Sequence, residues 1–203
     1  MTVIEVFADV LCPFTHVGLR RFVEHRRELG RDDVSLRVRA WPLEIVNGQP
    51  LDPHFVAEEI DDIREQLDIS LFAGFDEETF PASSLRALAL AAAAYEQDLA
   101  TGETVSLALR DLLFEQGGDI ADPEVLLRLA DEHGVSVDLT DERPVLADHA
   151  EGIERGVIGS PHFFTPAGSF FCPGLDVHRD EAGHLKVKAS KGFDQFLAGC
   201  FED

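Results

Sequence analysis

The chain has 203 residues, of which 45% are hydrophobic, and its 39 acidic and 17 basic side chains give a formal net charge of −22 at pH 7. This length and hydrophobic content are enough for one well-formed core, and they argue against a disordered chain. The negative charge would repel nucleic-acid phosphates and anionic lipid head groups, so we expect neither nucleic acid nor a membrane among the partners.

The sequence carries neither a targeting signal nor a metal-binding motif. The opening MTVIEVFADV lacks the basic and long apolar regions of a signal peptide, and no stretch approaches the roughly 18 apolar residues of a membrane helix. We therefore expect a cytoplasmic protein. The three cysteines, Cys12, Cys172 and Cys200, form neither an even disulfide framework nor a CxxC pair, and HExxH is absent, so we expect no bound metal.

The first elements have the patterns of a strand, a helix and a second strand. Residues 3–8 (VIEVFA) have the apolar, β-branched composition of a buried strand, and residues 34–41 (VSLRVRAW) alternate as a half-buried strand does. Between them, Pro13 suits the first turn of a helix because its missing N–H costs nothing there, and apolar residues follow at helical spacing up to Gly30. The pattern predicts a right-handed parallel βαβ unit.

A long helical stretch separates this unit from further β-type sequence. The helices predicted after the second strand are 53–67, 81–99, 103–115, 123–133 and 143–155. Strand patterns return in HFFT and SFFC, which flank a PAG turn, and in DVHRDEAGHLKV, which suggests another hairpin before a final helix near 193–200. We therefore predict an α/β protein in which a helical subdomain, 53–137, is inserted into a domain formed by 1–52 and 138–203.

Cys12 lies at the predicted junction of the first strand and the first helix. The unpaired N–H groups and the positive dipole end of a helix stabilise a thiolate, so a cysteine at such a junction can be a reactive nucleophile. The alternative is a structural cysteine that acts as a small hydrophobic residue. The Cys-Pro pair alone does not decide between the two.

A second signal is the segment GVIGSPHFF, residues 156–164. An X–Pro bond at the start of a strand is one of the few places where a cis peptide costs about a kcal/mol or less. A cis bond before Pro161 would leave the backbone N–H and C=O of Ser160 free to pair with an extended, thiol-bearing substrate. The alternative is an ordinary trans proline that ends a loop.

Taken together, the strand that leads into Cys-Pro, the late Gly-Ser-Pro before a strand, and the helices between them resemble the DsbA-like branch of the thioredoxin-fold superfamily. This branch includes FrnE-type oxidoreductases, 2-hydroxychromene-2-carboxylate isomerases and kappa-class glutathione transferases. The resemblance extends over nearly the whole chain, and the helical segment is similar to the inserted domain of the FrnE group. It implies a thioredoxin-like fold with an all-helical insertion between its βαβ and ββα halves.

The resemblance also implies a role for individual residues. Cys12 matches the nucleophilic cysteine of the CPxC motif, and Pro13 and Phe14 match its two intervening residues. Pro161 matches the cis-proline that faces the nucleophile, and Ser160 is its neighbour. These residues are therefore expected to form one site.

Thr15 departs from the motif, because it stands where the dithiol members have their resolving cysteine. Cys12 alone can form a mixed disulfide but cannot clear it. Three routes stay open: resolution by a small thiol, resolution by another cysteine of the chain, or a change to a thiol-cofactor site; the Thr15 hydroxyl could hydrogen-bond a thiolate in each. Cys172 is the candidate for the second route, since a hairpin about the PAG turn would place it opposite His162 and beside Pro161.

Several nearby residues allow two interpretations. A protonated His16 would favour the thiolate, but at its spacing it could equally face solvent or the helical insertion. His162 is more typical of a packing or hydrogen-bonding histidine than of a base. Phe14 and Trp41 could line a substrate groove or belong to the core, and Cys200 is expected to be inert.

The sequence therefore favours a thiol-disulfide oxidoreductase of the DsbA/FrnE type that uses Cys12 on a disulfide-bearing protein or a small-molecule thiol substrate. A glutathione-dependent transferase or isomerase is the alternative from another enzyme class, and a non-catalytic binding protein that keeps the fold is the third. We expect no tightly bound cofactor, with glutathione or another low-molecular-weight thiol as a transient one. The expected catalytic residues are Cys12 and Thr15, and the expected substrate-binding residues are Pro13, Phe14, His16, Ser160, Pro161 and His162.

Overall fold

The computed structural model describes residues 2–180, 185–190 and 192–201. Its strands are β1 (Thr2–Ala8), β2 (Val34–Ala40), β3 (His162–Thr165), β4 (Gly168–Phe171), β5 (Leu175–Arg179) and β6 (Leu185–Ala189). Its helices are α1 (Pro13–Glu28), α2 (Leu43–Asn47), α3 (Pro53–Leu67), α4 (Leu85–Gln97), α5 (Leu99–Phe114), α6 (Pro123–Glu132), α7 (Arg143–Glu154) and α8 (Phe193–Phe201). Within the described ranges, no helix combines the length and hydropathy needed to cross a membrane.

Four strands form the main sheet in the order β2-β1-β3-β4. β1 and β2 run parallel and are joined by α1, which confirms the predicted βαβ unit, whereas β3 pairs antiparallel with both β1 and β4. Phe7, next to the end of β1, lies opposite His162, the first residue of β3. The loop after β1, which carries Cys12, and the loop before β3, which carries Ser160, therefore lie at the same end of the strands.

The two faces of β1 bury different apolar layers, because successive side chains of a strand point to opposite faces. Ile4, Val6 and Ala8 belong to a buried cluster that also includes residues of α1 and α8. Phe7 belongs to a smaller cluster on the other face, where it contacts the ring of Trp41 edge-on. Burial on both faces fixes the direction in which β1 delivers the chain to Cys12.

Helices α2 to α7 connect β2 to β3, as expected for a helical insertion between two halves of a core. Most buried apolar side chains of α3 to α6 form one cluster, and this cluster continues into Val10 and Leu11 before α1 and into Val17 within it. The helical segment thus packs directly on the β1–α1 junction. The subdomain boundaries at 53 and 137 stay a prediction.

The helix boundaries within this segment differ from those predicted. The pattern placed one helix over 81–99 and the next over 103–115, but α4 ends at Gln97 and α5 already begins at Leu99. Asp98 is the reason, because its side chain accepts a hydrogen bond from the backbone N–H of Thr101 and caps α5. The short helix α2 was not predicted.

The hairpin of β3 and β4 forms as predicted, but its register is shifted by one residue. Thr165 pairs with Gly168, so Gly168 belongs to the strand and only residues 166–167 form the loop. Phe171, not Cys172, therefore lies opposite His162. The predicted second hairpin is confirmed as β5 and β6, whose connecting residues 181–184 lie outside the described part of the chain.

Candidate active site

Cys12 is the residue that caps the N-terminus of α1. Its backbone is extended, with φ −81° and ψ 115°, and Pro13 begins the helix. The residue is 4% exposed, so it lies beneath the surface at the positive end of the helix. The structure thus places Cys12 where the sequence predicted it.

The late Ser-Pro motif lies directly against this cysteine. The Ser160–Pro161 peptide bond is cis, and the Cys12 thiol donates a hydrogen bond to the Ser160 carbonyl oxygen at a Sγ–O distance of 3.2 Å. The Ser160 hydroxyl is 2.9 Å from the Thr15 hydroxyl and accepts a hydrogen bond from the backbone N–H of Asp9. Two motifs separated by almost 150 residues therefore form one hydrogen-bonded unit.

The surroundings of the Cys12 thiol act on its pKa in opposite directions. Burial raises the pKa above the ordinary value, and the nearby Glu59 carboxylate adds to this effect. Hydrogen bonds from the Thr15 side chain and backbone and from Ser160 lower it, without offsetting burial. In the free protein the thiol form is therefore favoured, with thiolate-stabilising groups already in position.

A buried carboxyl group lies next to this unit. The Asp9 side chain accepts hydrogen bonds from the backbone N–H groups of Leu11 and Leu43, at 2.9 and 2.6 Å, and from the Ser84 hydroxyl at 3.1 Å. Burial raises the pKa of this carboxyl, although these bonds and the Arg110 cation oppose the rise. Asp9 thereby ties the loop after β1 to the starts of α2 and α4.

Arg110, in α5, is a buried cation that contacts the backbone of Asp9. One of its terminal nitrogens donates to the backbone carbonyl of Asp9 at 3.2 Å, and the other donates to the carbonyl and hydroxyl of Ser106. Burial lowers the pKa of Arg110 to about 10. Sequence reasoning missed Asp9, Ser84 and Arg110, and the available signals were an acid just after a strand and a lone arginine within an apolar helix.

A cavity of about 370 Å³ opens beside the thiol. It is bounded by the start of α1, by α2 and α3, by β5, and by the residues around the cis bond. The lining residues used below are Cys12, Phe14, Phe55, Glu59, Ser160, Phe171 and Cys172. Phe14 therefore faces the expected groove, whereas Trp41 packs on Phe7 and on the ring of His149 and lies outside it.

The sequence profile of the DSBA-like thioredoxin domain family matches residues 3–180. The chain belongs to this family. The match confirms both the family resemblance and the predicted α/β thioredoxin-like fold class. A search of curated protein sequences found no significant match.

Solved structures with the same fold include members with different activities. Cytosolic disulfide reductase DsbM from Pseudomonas aeruginosa has a TM-score of 0.61 at 17% identity, over 97% of this chain and 95% of DsbM, and it was also solved with GSH. A 2-hydroxychromene-2-carboxylate isomerase has a TM-score of 0.56 at 14% identity, over 83% and 88% of the two chains. A probable DsbA oxidoreductase from Streptomyces coelicolor has a TM-score of 0.64 at 18% identity, over 100% and 91%. At these identities the matches show a shared fold.

In this DSBA-like domain, His16 faces the helical segment. Its Nε2 atom is 2.6 Å from a carboxylate oxygen of Glu115, and its ring lies against those of Phe72 and Phe114. Burial lowers the pKa of His16 to about 4. Of the two interpretations left open by the sequence, the structure agrees with a His16 that faces the helical insertion, because its imidazole is bonded to Glu115 and its lowered pKa favours the neutral form.

His162 has the packing and hydrogen-bonding role that the sequence favoured. Its Nδ1 accepts from the backbone N–H of Ile158 at 3.2 Å, so its Nε2 carries the proton and donates to the Ser169 hydroxyl at 2.6 Å. The ring stacks on Phe164 at a centroid distance of 5.0 Å. Both nitrogens are thus engaged away from the thiol.

Cys172 and Cys200 differ in their relation to the site. Cys172 follows β4, donates its backbone N–H to the Pro161 carbonyl oxygen at 2.9 Å, and lines the same cavity as Cys12. Cys200, in α8, belongs to the apolar cluster on one face of the main sheet. All three cysteines are free thiols in the structure. Among the described residues, no group of histidine, cysteine and acidic side chains has the arrangement of a metal site.

Proposed function

We propose that this protein is a thiol-disulfide oxidoreductase that acts on disulfides or mixed disulfides through Cys12. The observation that carries the proposal is the position of the Cys12 sulfur, at the N-terminus of α1 and 3.2 Å from the carbonyl oxygen that precedes the cis-proline. This position offers the sulfur helix N–H groups on one side and a strand-like backbone on the other. The first can stabilise a thiolate and the second can pair with a substrate chain.

The first chemical step follows from these groups. Cys12 loses its proton to solvent, and the thiolate attacks one sulfur of the substrate disulfide, which forms a mixed disulfide and releases the other half as a thiolate. The Thr15 hydroxyl and the first turn of α1 stabilise the negative charge before the attack. When the thiol proton leaves, the Ser160 carbonyl loses its donor and can accept a backbone N–H of the substrate.

The cavity limits what can reach the sulfur. Cys12 is nearly inaccessible from bulk solvent, so a substrate enters through the cavity, where Phe55 and Phe171 are 40% and 50% exposed. These rings would contact the groups on either side of the disulfide. Displacement of water by the substrate leaves the thiolate to be stabilised by the Thr15 hydroxyl, the Ser160 side chain and the helix N-terminus.

A glutathione-dependent transferase or isomerase is the second candidate. Thr15 in place of a second cysteine favours it, since activation of a cofactor thiol needs one polar group and not a dithiol. The shared fold with a 2-hydroxychromene-2-carboxylate isomerase, and the GSH in the DsbM structure, are consistent with it. A non-catalytic binding role is the third candidate, and the raised pKa of the Cys12 thiol favours it. For all three candidates we propose a cytoplasmic location.

Disulfide exchange on purified protein tests the proposal. The reduced protein is mixed with a peptide–glutathione mixed disulfide and excess reduced glutathione, and the release of peptide thiol is followed. We expect catalysis by the wild type and by Cys200→Ser, and only the background rate with Cys12→Ser.

Two other results would redirect the assignment. If Cys12→Ser keeps the full exchange rate, the oxidoreductase proposal is wrong. If the wild type performs no exchange, conjugation of glutathione to an aromatic electrophile separates the transferase candidate from the binding protein.

A further inference from the structure

Two cysteines lie on either side of the cis dipeptide and line one cavity. The Cys12 thiol is hydrogen-bonded to the Ser160 carbonyl, and the Cys172 backbone N–H is hydrogen-bonded to the next carbonyl along the chain, that of Pro161. Both cysteines are buried walls of the cavity beside the helix N-terminus. The β3–β4 hairpin thus brings a second thiol to a site where Thr15 stands at the position of a second motif cysteine.

The backbone at Cys172 has a conformation that is unusual for cysteine. Its φ angle is 43°, in the left-handed region that non-glycine residues rarely adopt and that costs on the order of 1 kcal/mol or more. Two hydrogen bonds hold it there, from Cys172 N–H to Pro161 and from Leu175 N–H to the Cys172 carbonyl. The turn leads the chain from β4 to β5, and Phe171 and Val177 of these two strands line the cavity.

The two thiols are also close enough to affect each other's ionisation. Burial raises the pKa of Cys172 to about 12, and the charge on a Cys12 thiolate is the second cause of the rise. Burial also raises the pKa of Cys200 to about 12, but no charged partner contributes there. The charge of a Cys12 thiolate therefore raises the pKa of Cys172 but does not contribute to that of Cys200.

We propose that Cys172 is the resolving cysteine of this site, so that Cys12 and Cys172 form a reversible internal disulfide in place of the missing CxxC pair. The inference rests on the proposed function, because it requires Cys12 to form a mixed disulfide first. A single-thiol enzyme needs an external thiol to release its substrate. With Cys172 as the resolving thiol, this protein would instead be a two-thiol enzyme whose cysteines are 160 positions apart in the sequence.

The two steps balance as a two-electron exchange. In the first, the Cys12 thiolate attacks a disulfide RSSR′, forms Cys12–S–S–R and releases R′S⁻. In the second, Cys172 loses its proton to solvent and attacks the Cys12 sulfur, which forms the Cys12–Cys172 disulfide and releases RS⁻. The substrate disulfide is reduced to two thiols, and the protein dithiol is oxidised.

The surroundings of the two cysteines indicate that Cys12 attacks first and Cys172 second. Cys12 lies at a helix N-terminus and has the Thr15 hydroxyl as a donor, whereas Cys172 lacks the helix and has one backbone donor, the N–H of Leu175. Cys172 therefore stays protonated while Cys12 reacts. Cys12 directly precedes α1 and Cys172 directly follows β4, so neither residue lies inside a regular element.

Single-turnover oxidation by oxidised glutathione tests the inference. The reduced full chain is mixed with oxidised glutathione, quenched with acid and examined by intact mass and by peptide mapping without reductant. We expect the wild type and the matched control Cys200→Ser to lose two hydrogens and to give a cross-linked peptide that contains Cys12 and Cys172. We expect Cys172→Ser to retain one glutathionyl group on Cys12.

The alternative outcomes distinguish the inference from the function on which it rests. A stable glutathionyl group on Cys12 in the wild type, equal in yield to that in Cys172→Ser, overturns the resolving role and leaves the proposed function intact. Lack of any modification in both proteins overturns both proposals. Circular dichroism of Cys172→Ser and Cys172→Ala, compared with the wild type, shows whether the fold is kept, and a cross-linked wild-type peptide supports the inference even if neither variant folds.

Discussion

Thr15 and His16 are neighbours in the first turn of α1, yet they face two different polar pockets. Thr15 faces the Cys12 side, where its hydroxyl meets Ser160 and where Asp9 and Arg110 are both buried. His16 faces the helical segment, where it is bonded to Glu115. The first pocket contains hydroxyls, backbone groups and buried charges, whereas the second consists of a neutral imidazole between aromatic rings and a carboxylate near solvent.

The difference shows how one helical turn serves two purposes. The Cys12 side concentrates groups that can stabilise a sulfur anion, at the cost of burying a cation and a carboxyl group. The His16 side attaches the helical segment to α1. His16, four residues after Cys12 in the sequence, is thus a structural contact, whereas its neighbour Thr15 is hydrogen-bonded to the Cys12 thiol.

Removal of the buried cation should have the largest effect on the Cys12 side. Arg110→Met removes the cation that lowers the pKa of the nearby Asp9 carboxyl, and it leaves the backbone carbonyls of Asp9 and Ser106 without this donor. Each buried acceptor left without a partner costs about 1–3 kcal/mol in free energy of unfolding. The cost should be largest at neutral pH. It should shrink on acidification, because Asp9, whose pKa burial already raises, can then take up a proton in the folded state.

Urea unfolding of Arg110→Met and the wild type at several pH values measures this difference. Arg86→Met is the matched control, since Arg86 also lies in a helix of the insertion and donates to a backbone carbonyl, but its bond to Ala121 is exposed. We expect it to stay within about 0.5 kcal/mol of the wild type. Equal losses in the two variants, or a loss that does not depend on pH, would contradict the role given to the Asp9–Arg110 pair.

The next largest predicted effect is the loss of stability at acidic pH that the buried, neutral His16 causes in the wild type. The folded protein holds the pKa of His16 at about 4, whereas the unfolded value is 6.5, so only the unfolded chain binds a proton between these pH values. Stability therefore falls as the pH drops from 6.5 to about 4, by about 3 kcal/mol in free energy of unfolding. His16→Gln, which does not titrate and keeps an N–H donor for Glu115, should lack this part of the fall.

The control for this measurement is another histidine of the same helix. His25, near the C-terminal end of α1, is 34% exposed beside Glu28. We expect His25→Asn to keep the wild-type dependence of unfolding free energy on pH. If His16→Gln instead follows the wild type from neutral pH to pH 4, His16 is not buried in its neutral form and the two sides of the turn are less different than the structure indicates.

The sequence predicts the fold and the two motifs of the site well, because both depend on local patterns. The β-branched run before Cys12, Pro13 at the helix start and the Gly-Ser-Pro before β3 are each confined to a few residues. The surroundings of an individual helix side chain cannot be predicted from such local patterns, because they depend on which element packs against that side of the helix. His16 could not be assigned from spacing, because its partner Glu115 is 99 positions away.

Asp9 and Arg110 were missed for the same reason. A charged residue is predicted to be exposed unless its partner is known, and Asp9 and Arg110 are 101 positions apart. The one-residue error at Cys172 has a local cause, because PAG reads equally well as a loop of three residues or of two. A shift by one residue changes the strand partner, although it leaves the hairpin and the closeness of Cys172 to Pro161 unchanged.

The smallest predicted effect concerns Thr15, and it tests the Cys12 side most directly. Thr15→Val keeps the shape of the side chain but removes the hydroxyl that bonds to Ser160 and lowers the pKa of the Cys12 thiol. We expect a loss of about 1 kcal/mol in unfolding free energy and a rise in the Cys12 pKa, as measured from the alkylation rate against pH. Thr15→Ser keeps the hydroxyl and should leave the pKa near the wild-type value. If Val and Ser at this position give the same alkylation profile, the hydroxyl does not act on the sulfur, and the helix N-terminus alone distinguishes this side of the turn from the His16 side.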